Sequence, residues 1–423
     1  MNEIRNLIVG LDFGREYTQI CYFDRKAGEP RSLSLKAGAS LYEAPTVLCR
    51  RPEQGDYVVG PEAGYFVREK GGELIDGLYE ISGQETEVSL EGVQERPGEL
   101  LFQFLRGMLR YLGVADILRN TKCLAIASEE MDPVRVKNFR FALNKIGFAD
   151  EQVLLVDYDE AFYYYAMSLP QKREILNRSV GWYAFQEDEV SFRKMYAVSP
   201  GSKPLMIRLG EAQKTILPRE DKARDAAFLE FIQKTLGKQN FSSLQVTGKG
   251  FSQDWAKQSV KQLCFQRRKV YSGNNLFARG ACCAAKEKCE DRELKNIRFL
   301  SDSLVMEDVG MEMQVMGSPV YYPLVTAGQN WYECHKHVEF LLNKTEELVF
   351  IVGMLGKSEK TKVSMPLQGL PKRPPKTTRI LLELSYLSPK ECHIRAVDLG
   401  FGEFFPSSGK VWEETVSWQE ENG

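Results

Sequence analysis

Hydrophobic residues follow two different periods along this chain. Over residues 96–112 leucine, phenylalanine and methionine recur at helical spacing, with Pro97 in the opening turn, which predicts an amphipathic helix. The same reasoning predicts further helices over 132–146, from 159 onward, and over 221–236, 252–263 and 278–290, and strands or extended segments over 122–127, 152–156, 179–195, 205–217 and 243–247. Alternation of strands and helices predicts an α/β architecture for this part of the chain.

The pattern changes near residue 296. From about 303 to 418 short apolar–polar alternations and turns replace helical spacing, and 348–352, 379–386 and 393–398 are the clearest strands. Short strands at this interval predict a β-sandwich. The sequence therefore predicts an α/β domain over 1–296, a linker over 297–302 and a sandwich over 303–423.

The chain begins with a predicted β-hairpin whose tip has the composition of a phosphate loop. An apolar run ends in Asp12-x-Gly14, and alternating apolar residues follow. Arg15 and Glu16 stand directly after the glycine, and a carboxylate there repels phosphate oxygens unless a cation intervenes. The same pattern also fits an ordinary hairpin that opens a mixed domain.

Composition excludes several classes of function. The 423 residues have a formal net charge of −2, which gives no electrostatic reason to expect nucleic acid or an anionic membrane as a partner. No apolar stretch is long enough to span a bilayer, and the first residues have no signal-peptide pattern, so a cytoplasmic location is expected. Nine cysteines without a Cys-x-x-Cys pair are typical of reduced thiols.

Histidines and cysteines near two predicted strands are the only hint of a metal site. His335 and His337 share one face of a predicted strand, Cys334 lies on the other face, and His393 follows Cys392. The usual spacing of zinc ligands is missing, so no metal is predicted.

Taken together, these elements resemble the seventy-kilodalton heat-shock chaperones of the DnaK type, within the actin-like ATPase superfamily, without their helical lid. Besides Asp12-x-Gly14, the segments that carry the resemblance are 124–133, 159–166, 244–252, the Ala278-x-Gly280-Ala281 motif, 308–312, 367–371, 380–386 and 393–398. The resemblance implies an α/β, two-lobed actin/heat-shock-70-like ATPase fold with a reduced second lobe. It also implies that the C-terminal β-sandwich is similar to the chaperone substrate-binding domain.

The departures from this family fall on its catalytic motifs. The stretch 180–190 lacks the glycines of the second phosphate loop, Lys249 replaces a glycine of the adenosine loop, and no lysine lies within 73–79. Phosphoryl transfer needs positioned donors, a metal and an oriented water together. We therefore predict no catalytic residues, no ATP hydrolysis and weak or absent binding of ATP or ADP with Mg²⁺. If nucleotide binds, Asp12, Gly14, Gly248 and Gly250 are expected to line the site.

The predicted function is that of a chaperone-like or scaffolding protein that interacts with another protein. By the resemblance, the sandwich binds an extended apolar peptide, and the candidate contacts are Met313, Val315, Met316, Leu348 and Phe350. The same five residues also fit a plain sandwich core. Two alternatives remain open: a divergent ATP-dependent chaperone with residual ATPase activity, and an actin-like structural protein that self-assembles.

Overall fold

The computed structural model describes residues 6–51, 54–90, 93–198, 204–355 and 358–418, and the chain divides into two compact units, Met1–Ser301 and Asp302–Gly423. Mixed α/β structure makes up the first unit. Its strands in chain order are β1 (Leu7–Phe13), β2 (Tyr17–Asp24), β3 (Glu29–Ser32), β4 (Ala44–Pro45), β5 (Leu48–Arg50), β6 (Tyr57–Val59), β7 (Glu73–Ile75), β8 (Val88–Leu90), β9 (Val93–Glu95), β10 (Thr121–Ser128), β11 (Val153–Asp157), β12 (Ser179–Gln186), β13 (Glu189–Ala197), β14 (Leu205–Leu209), β15 (Gln213–Ile216), β16 (Phe241–Thr247), β17 (Lys269–Ser272) and β18 (Ile297–Leu300). Its helices are α1 (Pro61–Lys70), α2 (Leu78–Ser82), α3 (Pro97–Arg110), α4 (Ile117–Asn120), α5 (Pro133–Ile146), α6 (Tyr158–Ser168), α7 (Asp221–Leu236), α8 (Lys257–Leu263) and α9 (Leu276–Lys286).

Two large sheets of the first unit share one topology. The first sheet has the order β3-β2-β1-β10-β11, in which β3, β2 and β1 are antiparallel and β10 and β11 run parallel to β1. The second has the order β14-β13-β12-β16-β17, with the same antiparallel and parallel relations, and β18 adds to the β14 edge. In both sheets the last parallel strand leads into a helix, α6 after β11 and α9 after β17. The first unit therefore contains one strand arrangement twice.

Helix α9 packs closely because its buried face is made of small residues, including Ala278, Gly280 and Ala281. A Cβ atom at Gly280 would overlap the carbonyl oxygen of Ala161 on α6, and one at Gly10 would overlap the backbone of α9. Only glycine allows such close approach of two backbones. These two glycines thus fix the positions of α6, α9 and β1, which form the base of the site described below.

Two predicted boundaries need correction. The segment predicted as a linker, 297–302, contains β18, which pairs in parallel with Leu205–Arg208 and is therefore part of the second sheet. The helix predicted over 252–263 begins only at Lys257, and β17 lies in a stretch for which no strand was predicted. Edge strands such as β17 and β18 are short and half exposed, so they carry little hydrophobic signal.

The second unit is rich in strands. In chain order these are β19 (Glu307–Val315), β20 (Ser318–Val325), β21 (His335–Leu341), β22 (Glu347–Met354), β23 (Lys360–Pro366), β24 (Arg379–Tyr386), β25 (Glu391–Gly400) and β26 (Val411–Ser417). They form two antiparallel sheets, β20-β19-β22-β23 and β21-β24-β25-β26. Buried and exposed residues alternate along β22, β24 and β25, so each sheet buries one face.

A buried ion pair anchors one long loop of this unit. Asp398 is completely buried and accepts two hydrogen bonds of 2.9 Å from the guanidinium of Arg373. The carboxylate also accepts from the hydroxyl and backbone N–H of Ser408 and from the N–H of Gly400. These donors hold the pKa of Asp398 well below its ordinary range despite burial. The loop over 400–410 is thereby tied to β25.

Among the described residues, no helix is both long enough and apolar enough to cross a membrane. Within the same residues, no group of three or more histidine, cysteine or acidic side chains is arranged to hold a metal ion.

Candidate functional site

The predicted nucleotide-binding residues come together at a cleft between the two large sheets of the first unit. One side is the β1–β2 hairpin, with Asp12 at the end of β1 and Gly14 in the turn. The other side is the β12–β13 turn and the loop after β16 that contains Gly248 and Gly250. Lys249 extends from that loop across the cleft, where its Nζ lies 3.3 Å from the ring centroid of Tyr17 and 3.5 Å from Oε2 of Glu43. We call this pair of contacts the Lys249 latch.

A second bridge crosses the cleft close to the latch. The side-chain amide of Gln19, on β2, donates a 3.0 Å hydrogen bond to the carbonyl oxygen of Asn274. The side chain of Asn274 accepts another from the N–H of Gly248, also at 3.0 Å. The two sides of the cleft are therefore connected by hydrogen bonds, an ion pair and a cation–π contact.

Asp12 lies at the base of the cleft, where its carboxyl group is almost fully buried, with 6% of the residue exposed. The hydroxyl of Tyr158, the first residue of α6, donates a 2.7 Å hydrogen bond to its Oδ1. Burial raises the pKa of Asp12 to about 7, an effect that the Tyr158 hydrogen bond opposes and the negative charge of Glu43 reinforces. Asp12 is therefore a carboxyl group that is partly protonated at neutral pH.

Aromatic side chains fill the space next to Asp12. The ring of Tyr158 stacks on Phe277 of α9, with 3.6 Å between ring centroids and 3° between ring planes. Trp182 of β12 meets Phe277 edge-on and stacks on Phe162, and its indole N–H donates to the hydroxyl of Thr247. This aromatic stack occupies the base of the cleft between the two sheets.

The tip of the first hairpin is also engaged within the protein. The N–H of Gly14 donates to the carbonyl oxygen of Tyr17 at 3.2 Å, and the carbonyl oxygen of Gly14 accepts from the hydroxyl of Thr46 at 2.8 Å. The guanidinium of Arg15 contacts three carboxylates, those of Glu80, Glu129 and Glu130, at 2.7–3.0 Å. Glu129 and Glu130 raise the pKa of Arg15 further, with the Glu129 hydrogen bond as the main cause. The guanidinium of Arg15 is therefore occupied by ion pairs with acidic side chains, two of which directly follow β10.

The β12–β13 turn, where the sequence resemblance leads us to expect the second phosphate loop, is anchored by Arg224 of α7. Its guanidinium donates to the carbonyl oxygens of Glu187 at 2.6 Å and Gly250 at 3.3 Å, and to Oδ1 of Asp188 at 2.8 Å. The Arg224 hydrogen bond is the main reason that the pKa of Asp188 is lowered. Arg224 thereby fastens the turn to the loop after β16.

Gly248 and Gly250 have a packing role in this arrangement. A Cβ atom at Gly248 would overlap the carbonyl oxygen of Phe185, and one at Gly250 would overlap that of Glu187. Gly248 also has a φ of 98°, which residues with a side chain rarely adopt. Both glycines let the loop lie directly on the β12–β13 turn, so their backbone faces protein atoms.

An open pocket of about 750 Å³ lies beside the cleft. Its walls come from β2, β3, residues 40–43 and the β17–α9 connection. Of the four residues predicted to bind nucleotide, all of which lie in the described part of the chain, none lines this pocket. This pocket and the predicted phosphate-binding residues therefore do not coincide.

The sequence did not predict the roles of Tyr158, Phe277, Arg224 and Glu43. One signal was available for Arg224, which is a cation on a helix whose other buried positions are mostly apolar. Tyr158 and Phe277 each directly precede a predicted helix, and the packing of α6 against α9 brings them together.

The five predicted peptide-binding residues of the second unit divide into two groups. Leu348 and Phe350, on β22, are 1% and 0% exposed, so they belong to the core and cannot contact a ligand from solvent. Met313 is half-buried, Val315 is 51% exposed and Met316, in the β19–β20 turn, is completely exposed. The candidate peptide contact is therefore corrected to the end of the β19–β20 hairpin.

This hairpin end carries an apolar strip made of Met313, Val315 and Val320. Alternation along β19 places Met313 and Val315 on the same face as the buried Val309 and Met311. Val320 lies directly opposite Met313 on β20 and is 43% exposed. The face of β19 that packs in the core near Val309 and Met311 is therefore exposed to solvent at the hairpin end.

Two family models match the chain. Residues 29–302 match the family described as "Family of unknown function (DUF5716) C-terminal", and residues 304–418 match the "Domain of unknown function (DUF8552)". No curated protein matches the chain. The first match covers most of the first unit, including α6, α9 and the loop after β16, and begins after β1 and β2.

Proposed function

The chain belongs to the family of unknown function DUF5716, and we propose that it is a heat-shock-70-like protein whose ATPase cleft is closed by its own side chains. In this proposal the first unit has an actin-like fold that does not hydrolyse ATP, and the second unit binds another protein through the hairpin strip. Membership of the family assigns no activity, so the argument comes from the geometry.

Two features support the actin-like fold. The order 3-2-1-4-5 of the strands occurs in both large sheets, and each copy ends in a helix that packs against the other copy's helix. The cleft between the copies is where the β1–β2 hairpin and the β12–β13 turn face each other, as the two phosphate loops do in the family that the sequence resembles.

The observation that carries the proposal is the burial of Asp12 under the hydroxyl of Tyr158. A carboxylate that organises Mg²⁺ and phosphates must be ionised and reachable. Asp12 is buried under the Tyr158 hydroxyl with its pKa raised to about 7, and the aromatic stack lies beside it. Carboxylates of Glu43, Glu129 and Glu130 surround the hairpin, and they repel a polyphosphate.

Nucleotide-dependent melting tests this part of the proposal. We expect millimolar Mg–ATP to leave the melting temperature of the full chain unchanged, and phosphate release to equal that of buffer. A ligand at 100 times its Kd raises the free energy of unfolding by about 2.7 kcal/mol, so real binding produces a clear shift. A shift that Asp12→Ala abolishes would instead favour the alternative of residual ATPase activity.

In the second unit, the structure favours contact through side chains over addition of a peptide strand at β20. In a two-residue hairpin the residues flanking the turn form a hydrogen-bonded pair, here Val315 and Ser318, so Pro319, Tyr321 and Pro323 direct their backbone nitrogens outward. Proline has no N–H to donate. Only Tyr321 of these three offers a donor, so the β20 edge is a poor template for strand addition.

An extended apolar segment of another protein fits the hairpin strip, because its side chains can cover Met313, Val315 and Val320. We expect the full chain to bind extended apolar peptides weakly, and equally with and without Mg–ATP. Val315→Asp should weaken binding by about tenfold, since a buried carboxylate at such a contact costs 1.4 kcal/mol or more. Gln314→Asp is the matched control, because Gln314 is exposed on the opposite face of the same strand.

Fluorescence anisotropy with labelled peptides measures both variants. If no peptide binds at high micromolar concentration, or if Gln314→Asp weakens binding as much as Val315→Asp, the hairpin strip is not the contact. Sedimentation of the same samples distinguishes the self-assembly alternative, which predicts concentration-dependent polymers.

A further inference from the structure

Two cysteines far apart in the sequence meet at the end of helix α9. Cys123 lies on β10 and is completely buried, and Cys289 is partly exposed in the π-helical turn Glu287–Asp291 that follows α9. Each thiol is the main influence on the pKa of the other, which places the two side chains next to each other. Cys289 also packs against the core cluster that contains Cys123.

The residues on either side of this thiol pair hold the two segments together. Lys122, next to Cys123, forms a 3.0 Å ion pair with Glu290, next to Cys289. Arg25 adds a second ion pair to Glu290 at 2.8 Å, and Nζ of Lys288 donates to the carbonyl oxygen of Val153 on β11. The segments that carry the two cysteines are therefore held together by contacts of their neighbouring residues.

We propose that Cys289 and Cys123 form an oxidation site in which Cys289 reacts with a hydroperoxide and Cys123 resolves the product to a disulfide. The geometry fits this division, because Cys289 is the thiol that solvent reaches and Cys123 is the buried neighbour. Single-turn π-helical segments of this kind are frequently found at functional sites.

The electrostatic surroundings favour Cys289 as the attacking thiol. The hydrogen bond from Cys123 is the main cause that lowers the pKa of Cys289, and the ammonium groups of Lys288 and Lys122 act in the same direction. The negative charge of Glu290 opposes them, but Arg25 and Lys122 are paired with that carboxylate. By contrast, the pKa of Cys123 is raised, with the same hydrogen bond as the main cause and burial adding to it.

The chemistry balances in two steps. The Cys289 thiolate attacks one oxygen of the hydroperoxide, so an S–O bond forms, the O–O bond breaks, and the alcohol or water leaves with the proton. The Cys123 thiol then attacks the sulfenic sulfur, so an S–S bond forms and the hydroxyl leaves as water with the Cys123 proton. The two thiols together lose two electrons, and the hydroperoxide gains them.

Mass spectrometry of the full chain tests the proposal. The protein is treated with hydrogen peroxide, blocked with N-ethylmaleimide and digested without reduction. We expect the Cys123–Cys289 link to be the first disulfide to appear, and dithiothreitol to reverse it. In Cys123→Ser the reaction should stop at the sulfenic acid, so dimedone should label Cys289 at least several-fold more than in the wild-type protein.

Two cysteines of the same chain serve as controls. Cys283→Ser changes a buried cysteine of α9 and should leave the link unchanged. Cys264 is exposed, so it reports how an accessible thiol reacts with the same peroxide. The proposal is overturned if Cys264 is oxidised before Cys289, if another pair forms first, or if Cys283→Ser removes the link as completely as Cys289→Ser.

Discussion

The burial of Asp12 in the cleft can be tested through the pH dependence of the free energy of unfolding. Its pKa in the folded protein is about 7, whereas the ordinary value is 3.8. Between these two values the folded chain keeps a proton that the unfolded chain has released. The contribution of Asp12 to the free energy of unfolding is therefore complete below about pH 4, and it is lost as the pH rises to 7.

The size of this effect follows from the shift. About three pKa units correspond to roughly 4 kcal/mol at 1.36 kcal/mol per unit, which is an upper limit for a site that can relax. Asp12→Asn removes the charge, while its amide oxygen can still accept the hydrogen bond from Tyr158. At pH 8 we therefore expect Asp12→Asn to be more stable than the wild-type protein by about 2–4 kcal/mol, and at pH 4 to be equal within about 1 kcal/mol.

Differential scanning calorimetry at pH 4, 5, 6, 7 and 8 measures this difference and resolves the transitions of the two units. Comparing the variant with the wild-type protein at each pH cancels the contributions of other titrating groups. Tyr158→Phe provides a second arm, because loss of the donor leaves the carboxylate less compensated and should lower stability most at pH 8. The reasoning is refuted if Asp12→Asn is less stable than the wild-type protein at pH 8, or if the difference between them does not grow with pH.

Three further predictions concern packing and buried charge. Arg373→Leu should destabilise the second unit by about 3–5 kcal/mol, because Asp398 is left buried without its cation, and calorimetry should show the loss in that transition alone. Because the pKa of Asp398 is held low, the stability that it contributes should disappear as the pH falls below about 4 in the wild-type protein; a pH-independent transition would contradict this. Gly280→Ala should cost about 1–3 kcal/mol, since its Cβ would overlap the carbonyl oxygen of Ala161. Gly64→Ala is the control on an exposed helix, where the added methyl meets only the flexible end of Arg68 and should be neutral or stabilising.

The sequence predicted those elements whose signals are local. Helix α5 has Asp132 as N-cap, Pro133 at its first position and Gly147 in the left-handed conformation at its end, and each is a boundary signal visible in the sequence. Strand β18 has no such signal, because it is short and its pairing partner lies about ninety residues earlier. The mixed α/β class and the strand-rich C-terminal region are confirmed, whereas the linker boundary depended on a contact that sequence does not reveal.

The sequence indicated that two glycines of the candidate site approach another group closely, but not which group. Gly248 and Gly250 are needed wherever a backbone approaches another group closely, and the sequence cannot distinguish an approaching phosphate from the carbonyl oxygens of Phe185 and Glu187. Likewise, alternation along β22 shows that Leu348 and Phe350 share a face, but only the packing of the unit shows that this face is covered.

The most direct test of the closed cleft is a calorimetric titration of the full chain with Mg–ATP and Mg–ADP. Our account predicts no saturable heat up to about 1 mM nucleotide, because Asp12, the hairpin turn and both glycines already contact protein atoms. Saturable binding of one nucleotide per chain that is lost in Asp12→Ala would contradict it.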